Sequence, residues 1–187
     1  MKPVRREEIM PLEAYERSRD QVRPAIIEAK ERRRVTVGGV LTFLFENTTT
    51  IRYQVQEMVR AEKMTGEKEI QHELETYNEV LGAPGELGAV LLIELPEAAE
   101  RDLKLRAWIG LMPCLYARLE DGTRVRPSFD PRQVGEERLS SVQYLKFDVR
   151  GAVPVALGAD LPAFTAEARL TEAQRAALAE DLETSLK

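Results

Sequence analysis

Cysteine and histidine are nearly missing from this chain: each occurs once, as Cys114 and His72. A single cysteine excludes an internal disulfide and any multi-cysteine zinc or iron–sulfur site. A single histidine removes most of the nucleophile–base arrangements that hydrolytic triads use. No apolar run approaches the roughly 20 residues needed to cross a bilayer as a helix. The opening stretch MKPVRREEIMPLEAY mixes acids with bases and has no continuous apolar core, so it does not read as a secretory signal. These absences together point to the cytoplasm and away from the membrane. Phosphate-binding signatures are missing too. Gly38-Gly39 and GAPGELG lack the lysine and helix context of a P-loop, and no G-x-G-x-x-G occurs, so the glycines read as turn residues.

What remains is the composition of a folded protein, 43% hydrophobic and 32% charged over 187 residues. That length suits one domain, 1–187, burying roughly 70% of the surface its unfolded chain exposes. The net charge of −5 is uneven: residues 101–150 carry 10 basic against 7 acidic groups, while the flanking segments are both net acidic. Nucleic-acid binding by the whole protein is therefore not indicated.

Hydrophobic spacing places a helix over about 12–34, with Leu12, Tyr15, Val22, Ile26 and Ala29 on one side and a kink or break at Pro24. VTVGGVLTFLF reads as two strands folded around Gly38-Gly39. The polar run Asn47-Thr48-Thr49-Thr50 then opens a helix reaching about Met64. Further helices are expected at about 67–81 and 97–111. A last one opens with Thr171 and Gln174 in capping-box spacing and buries Leu178, Leu182 and Leu186. AVLLIEL at 89–95 has the continuous apolar character of a central strand covered on both faces.

Strands are also expected at about 142–149 and 164–169, with 151–163 the least regular part. Around Asp121-Gly122, a three-residue loop with Gly122 left-handed unites Leu115, Ala117 and Leu119 with Val125, Pro127 and Phe129 on one apolar face. A two-residue turn would mix Leu119 with arginines, so the three-residue register is favoured. The whole is an α+β fold: an antiparallel or mixed sheet of about five to six strands with two hairpins, packed with about five helices.

Two surfaces could carry function. On the helix of 50–63, Ile51, Val55, Met58, Val59 and Ala61 form an apolar face with Glu62 near its centre and Gln54 inside its edge, while Gln56 lies on the far side. Glu62 could reach solvent at a diverging helix end, form a buried ion pair with Arg19, or line a ligand site. The second surface is the polar face of the hairpin, where Tyr116, Arg118, Arg124 and Arg126 could grip an anionic ligand or acidic partner, or merely guard an exposed edge. Lys30-Glu31-Arg32-Arg33-Arg34 reads as a helix C-terminus complementing the macrodipole. Glu69-x-x-His72 has di-iron half-motif spacing, yet His72 projects away from the ridge of Ile70, Leu74 and Tyr77 and has no second motif to join. Neither a metal nor a cofactor is expected.

LTFLFENTTTIRYQVQEMVRAEK at 41–63, IQHELETYNEVL at 70–81, GELGAVLLIELP at 85–96, PLEAYERSRDQVRPAIIEAKERRRVTVG at 11–38 and SVQYLKFDV at 141–149 resemble a bacterial family known only as a domain of unknown function. The resemblance implies no activity and no catalytic residues. It implies a setting, because genes of that family accompany those for rubrerythrin-like and iron–sulfur proteins. The expected role is thus a non-enzymatic accessory or interaction protein of a redox or oxidative-stress system, with a rubrerythrin-like or iron–sulfur protein as partner. The rival is an enzyme or sensor holding a small anionic ligand in a cleft with Glu62 and arginines.

Overall fold

A computed structural model describes residues 1–135 and 137–185. Within them the order is α1 (Leu12–Glu31), β1 (Arg34–Val37), β2 (Leu41–Phe45), α2 (Thr48–Ala61), α3 (Glu67–Asn78), β3 (Glu86–Ile93) and α4 (Ala98–Ala107). There follow β4 (Leu115–Arg118), β5 (Arg124–Val125), β6 (Val142–Asp148), β7 (Ala156–Leu161), β8 (Phe164–Arg169) and α5 (Glu172–Ser185). The strands form two antiparallel four-stranded sheets, β1-β2-β3-β6 and β5-β4-β7-β8. The class is α+β.

Local chemistry explains most of the boundaries. Gly38 and Gly39 both take positive φ, +60° and +73°, which lets Val37 pair with Leu41 across a tight hairpin. Asn47 caps α2 by accepting from the Thr50 N–H at 3.0 Å, and its own N–H donates to the Thr50 hydroxyl at 2.9 Å. Thr171 and Gln174 form the expected reciprocal box at the start of α5. Leu178 and Leu182 are buried there, and Leu186 lies outside the described residues. Pro24 sits inside α1 without ending it. Residues 20–25 are all exposed, so the carbonyl that loses its donor can turn to water. The same exposure leaves Val22 outside the core, against the expected apolar stripe.

The second sheet contains the strand that periodicity does not reveal. β7 comes from the Gly-, Ala- and Pro-rich stretch, and its Ala156, Gly158 and Ala159 are buried because larger side chains from neighbouring strands fill the space. Tyr116 lies so close over Gly158 that any Cβ there would collide with its ring.

Phe43, Phe45, Leu91, Leu145 and Phe147 of the first sheet share one core with Leu115, Ala117, Leu157 and Ala159 of the second, joined by Leu105, Trp108, Leu178 and Leu182. A separate cluster unites Ile51, Val55 and Val59 of α2 with Ile70 and Leu74 of α3 and with Val4 and Ile9 of the N-terminal segment. Gln56, expected on the solvent side, is only 4% exposed, because its amide both accepts from the Met10 N–H and donates to the Met10 carbonyl. It clamps the N-terminal segment onto α2.

The register sets the outward face of the first sheet as cross-strand rows. One row is Thr36, Thr42, Leu92, Val142; the next is Arg34, Leu44, Val90, Tyr144; then come Glu46, Gly88 and Lys146. Residues 80–82 cross this face so closely that a Cβ on Gly88 would overlap the Val80 carbonyl. Val90 packs against the helical cluster, while Leu44 and Leu92 stay half-exposed. β3 is therefore central, as expected, but fully covered on one face only.

Gly88→Ala should destabilise the protein near the top of the roughly 1–3 kcal/mol range of overpacking. Gly110→Ala, where an added Cβ meets only Leu161 Cδ1 at 3.8 Å, should shift stability by less than about 0.5 kcal/mol. Urea midpoints of the two variants check both expectations.

Candidate functional site

The polar groups of the central stretch converge at Glu46 rather than at Glu62. Glu46 follows the last residue of β2 and continues its outward parity, with its N–H bonded to the Gly88 carbonyl at 3.0 Å. Its side chain is 6% exposed, and Lys30 Nζ stands 3.7 Å from Oε1, an ion-pair distance too long for a hydrogen bond. Lys30 also donates to Gln54 Oε1 at 3.3 Å and lies 6.0 Å from the centre of the Tyr53 ring. Burial pushes the Glu46 carboxyl up, against the opposing charges of Lys30 and Arg33. Its Oε2 is buried and finds no hydrogen-bond partner among the described residues.

Beside it, Arg33 grips Asp181 through Nε at 2.7 Å and Nη2 at 2.9 Å, with both side chains only 6% exposed. Asn47 Nδ2 donates to the same carboxylate at 2.9 Å. The asparagine thus caps α2 with its oxygen and ties α5 to it with its nitrogen.

Arg19 does not meet Glu62. It forms a two-point contact with Glu57, Nε to Oε1 at 2.8 Å and Nη2 to Oε2 at 2.9 Å, and Tyr15 donates to Oε1 at 2.6 Å. Arg19 in the first place, then the Tyr15 hydroxyl, holds the Glu57 carboxyl down at about 2 against the opposing effect of burial. Burial and then Glu57 push the Tyr15 phenol above its usual range. Glu62 is the exposed C-cap of α2. The helix ends at Ala61, so the apolar stripe stops before Glu62 could interrupt it. Gln54 is half-buried between Lys30 and Tyr77.

The hairpin has the expected three-residue register. Ala117 pairs with Val125, Arg118 with Arg124, and Gly122 has φ +87°. Tyr116, Arg118, Arg124 and Arg126 do share a face, and β7 and β8 answer them with acids. Arg118 binds Glu167 at 2.8 and 2.9 Å, while Arg124 and Arg126 both reach Asp160, the latter at 2.7 Å. Arg124 stacks over the Tyr116 ring at 4.3 Å. Arg118 holds the Glu167 carboxyl low, and Arg126 does the same for Asp160. The positive face is largely neutralised from within.

Cys114 is half-buried, His72 is exposed, and no group of three His, Cys, Asp or Glu that could hold a metal ion occurs among the described residues. Sequence reasoning gave Lys30 and Arg33 only a macrodipole role and passed over Glu46 and Asp181 as site residues. A usable signal existed for Glu46: an acid with outward strand parity just before a helix cap must lie where strand and helix layers meet.

Raising a carboxyl's affinity for its proton in the fold makes the ionised form destabilising. The stability Glu46 contributes is complete below its unfolded value near 4.5 and lost as pH rises through its higher folded value. Glu46→Gln should therefore raise the thermal midpoint relative to the parent at pH 7–8, and the gain should vanish near pH 4; paired melting curves across that range check it. Replacing Arg124 and Arg126 together by Gln should cost less than about 1 kcal/mol, because exposed pairs contribute little, with the difference shrinking in salt. Denaturant titration at low and high salt measures this.

A family profile described as a protein of unknown function, DUF3501, matches residues 3–182. A crystal structure of a novel protein of unknown function from Burkholderia pseudomallei is similar at 32% identity, with 97% of this chain and 100% of that chain covered and a TM-score of 0.87. No curated protein matches. The match runs through both sheets and the buried junction of Glu46, Arg33 and Asp181, and on that extent the chain belongs to the DUF3501 family of proteins of unknown function.

Proposed function

We propose that this protein acts by holding another protein and not by catalysis. The observation that supports this reading is the outward face of the first sheet. Leu44, Val90 and Leu92 are only half-covered there, and Val142 and Tyr144 of β6 are 39% and 36% exposed. Apolar side chains gathered on adjacent rows of one sheet are what a partner would bury. The elements of the rival reading lie apart: Glu62 is exposed at a helix end, and the hairpin arginines carry internal carboxylate partners.

The partner class comes from the family resemblance: a rubrerythrin-like or iron–sulfur protein of a bacterial redox or oxidative-stress system, met in the cytoplasm. Agreeing with that setting, no helix among the described residues is long and apolar enough to cross a membrane.

Leu92→Asp combined with Val142→Asp would place charge on the strip while leaving the inner core untouched. The double variant should keep the parent's fold by circular dichroism and lose at least about tenfold in affinity for a rubrerythrin-like or iron–sulfur partner, as measured by calorimetry. Leu103→Asp, at an exposed leucine of α4, serves as control and should bind normally. Equal binding by all three proteins removes the strip as an interface.

A further inference from the structure

A pocket of about 430 Å³ opens between the C-terminal end of α3 and β6, with residues 128–130 forming its third wall. Val80, Phe129 and the Tyr144 ring give it an apolar floor, and two opposite charges line it. Glu79 comes from the helix side and Lys146 from the strand side. Lys146 is held in place by its main chain, which exchanges two hydrogen bonds with Ser128 at 2.8 and 2.9 Å.

Neither charge is paired within the fold. Among the described residues, the Glu79 carboxylate and the Lys146 ammonium make no side-chain hydrogen bond or ion pair, with each other or with anything else. Asp130, the other acid at the pocket, is taken by Arg132 at 2.6 Å. That also commits a cation whose charge reaches Glu79. Glu79 is, besides, the C-cap of a 12-residue helix with no basic residue in its last turn. A helix C-terminus carries partial negative charge, so a carboxylate there is unfavourable and a cation favourable. The helix wall therefore asks for a positive group, the strand wall for a negative one, and the floor for an apolar group between them.

We propose that this pocket binds a small zwitterion, an α-amino acid with an apolar side chain. Its ammonium lies against Glu79 and the end of α3, its carboxylate against Lys146, and its side chain over Val80, Phe129 and the Tyr144 ring. The volume falls within the roughly 300–1,000 Å³ of small-molecule sites. The pocket shares Tyr144 with the docking strip, but neither of the charges that would hold the amino acid belongs to that strip.

The test is calorimetry on the full chain with L-phenylalanine and L-leucine. Two half-ligands serve as comparison, 3-phenylpropionate without the ammonium and 2-phenylethylamine without the carboxylate. At least one amino acid should bind, and the matching half-ligands should bind at least about tenfold more weakly, since each lacks a charge-assisted contact. Lys146→Gln and Glu79→Gln should each weaken the amino acid by a similar factor, whereas Glu75→Gln, on the exposed side of α3, should not. Thermal melts confirm that all variants remain folded. Absence of binding by either amino acid at about 10 mM overturns the proposal. So does a half-ligand that binds as well as the whole, or binding that survives both pocket substitutions.

Discussion

The contact on which the architecture rests is the buried ion pair of Arg33 and Asp181. Arg33 sits between α1 and β1, Asp181 belongs to α5, and Asn47, at the head of α2, donates to the same carboxylate. Removing both charges from water carries a desolvation cost that only near-ideal geometry and added hydrogen bonds offset. Here the guanidinium makes two parallel bonds to the carboxylate and a third, at 2.9 Å, to the Ala29 carbonyl. What such a pair contributes is position. It fixes the turn from α1 into the first sheet, the start of α2 and the seat of α5 relative to one another, because displacing any one of them breaks a hydrogen bond to this pair.

Glu46 is the imperfect neighbour of that pair. Lys30 stands slightly too far away to hydrogen-bond it, and one of its oxygens is left unsatisfied. The junction thus combines a fully answered charge with one only partly answered. The helical layer above it covers the first sheet incompletely, from the Gly88 crossing up to Val90. Beyond that the row pairs the threonines Thr36 and Thr42 with Leu92 and Val142, and it is open at its leucine and valine. Polar junction, helical cover and exposed strip follow one another along a single face, each set by strand parity.

Much of this is legible before any coordinates are known. The α+β class, the Gly38-Gly39 hairpin, the Asn47 cap, the Thr171–Gln174 box and the Gly122 register all follow from local stereochemistry, where a residue's own backbone preference decides the outcome. β7 escapes because its burial depends on neighbours, with Tyr116 covering Gly158, and small residues carry no periodic signal. The candidate site is harder to read for a related reason. Helical periodicity points to Glu62, yet the helix stops one residue earlier, and periodicity is blind to helix ends. Arg19 finds Glu57 instead because the crossing of α1 over α2, which pairs them, is set by tertiary packing. Arg33 looks like a dipole-matching charge until a carboxylate 148 positions later is seen to meet it.

That separation has a consequence for the making of the molecule. A chain leaving the ribosome presents Arg33 and Asn47 long before Asp181 exists, and a domain folds as a unit. Until α5 arrives, the guanidinium must keep its water, and the groove that will hold α5 stays wet. The joint between helices and first sheet therefore cannot close before α5 is in place. A nascent chain cut short before Asp181 would keep an open, hydrated seam, visible to proteases, while the complete chain closes it.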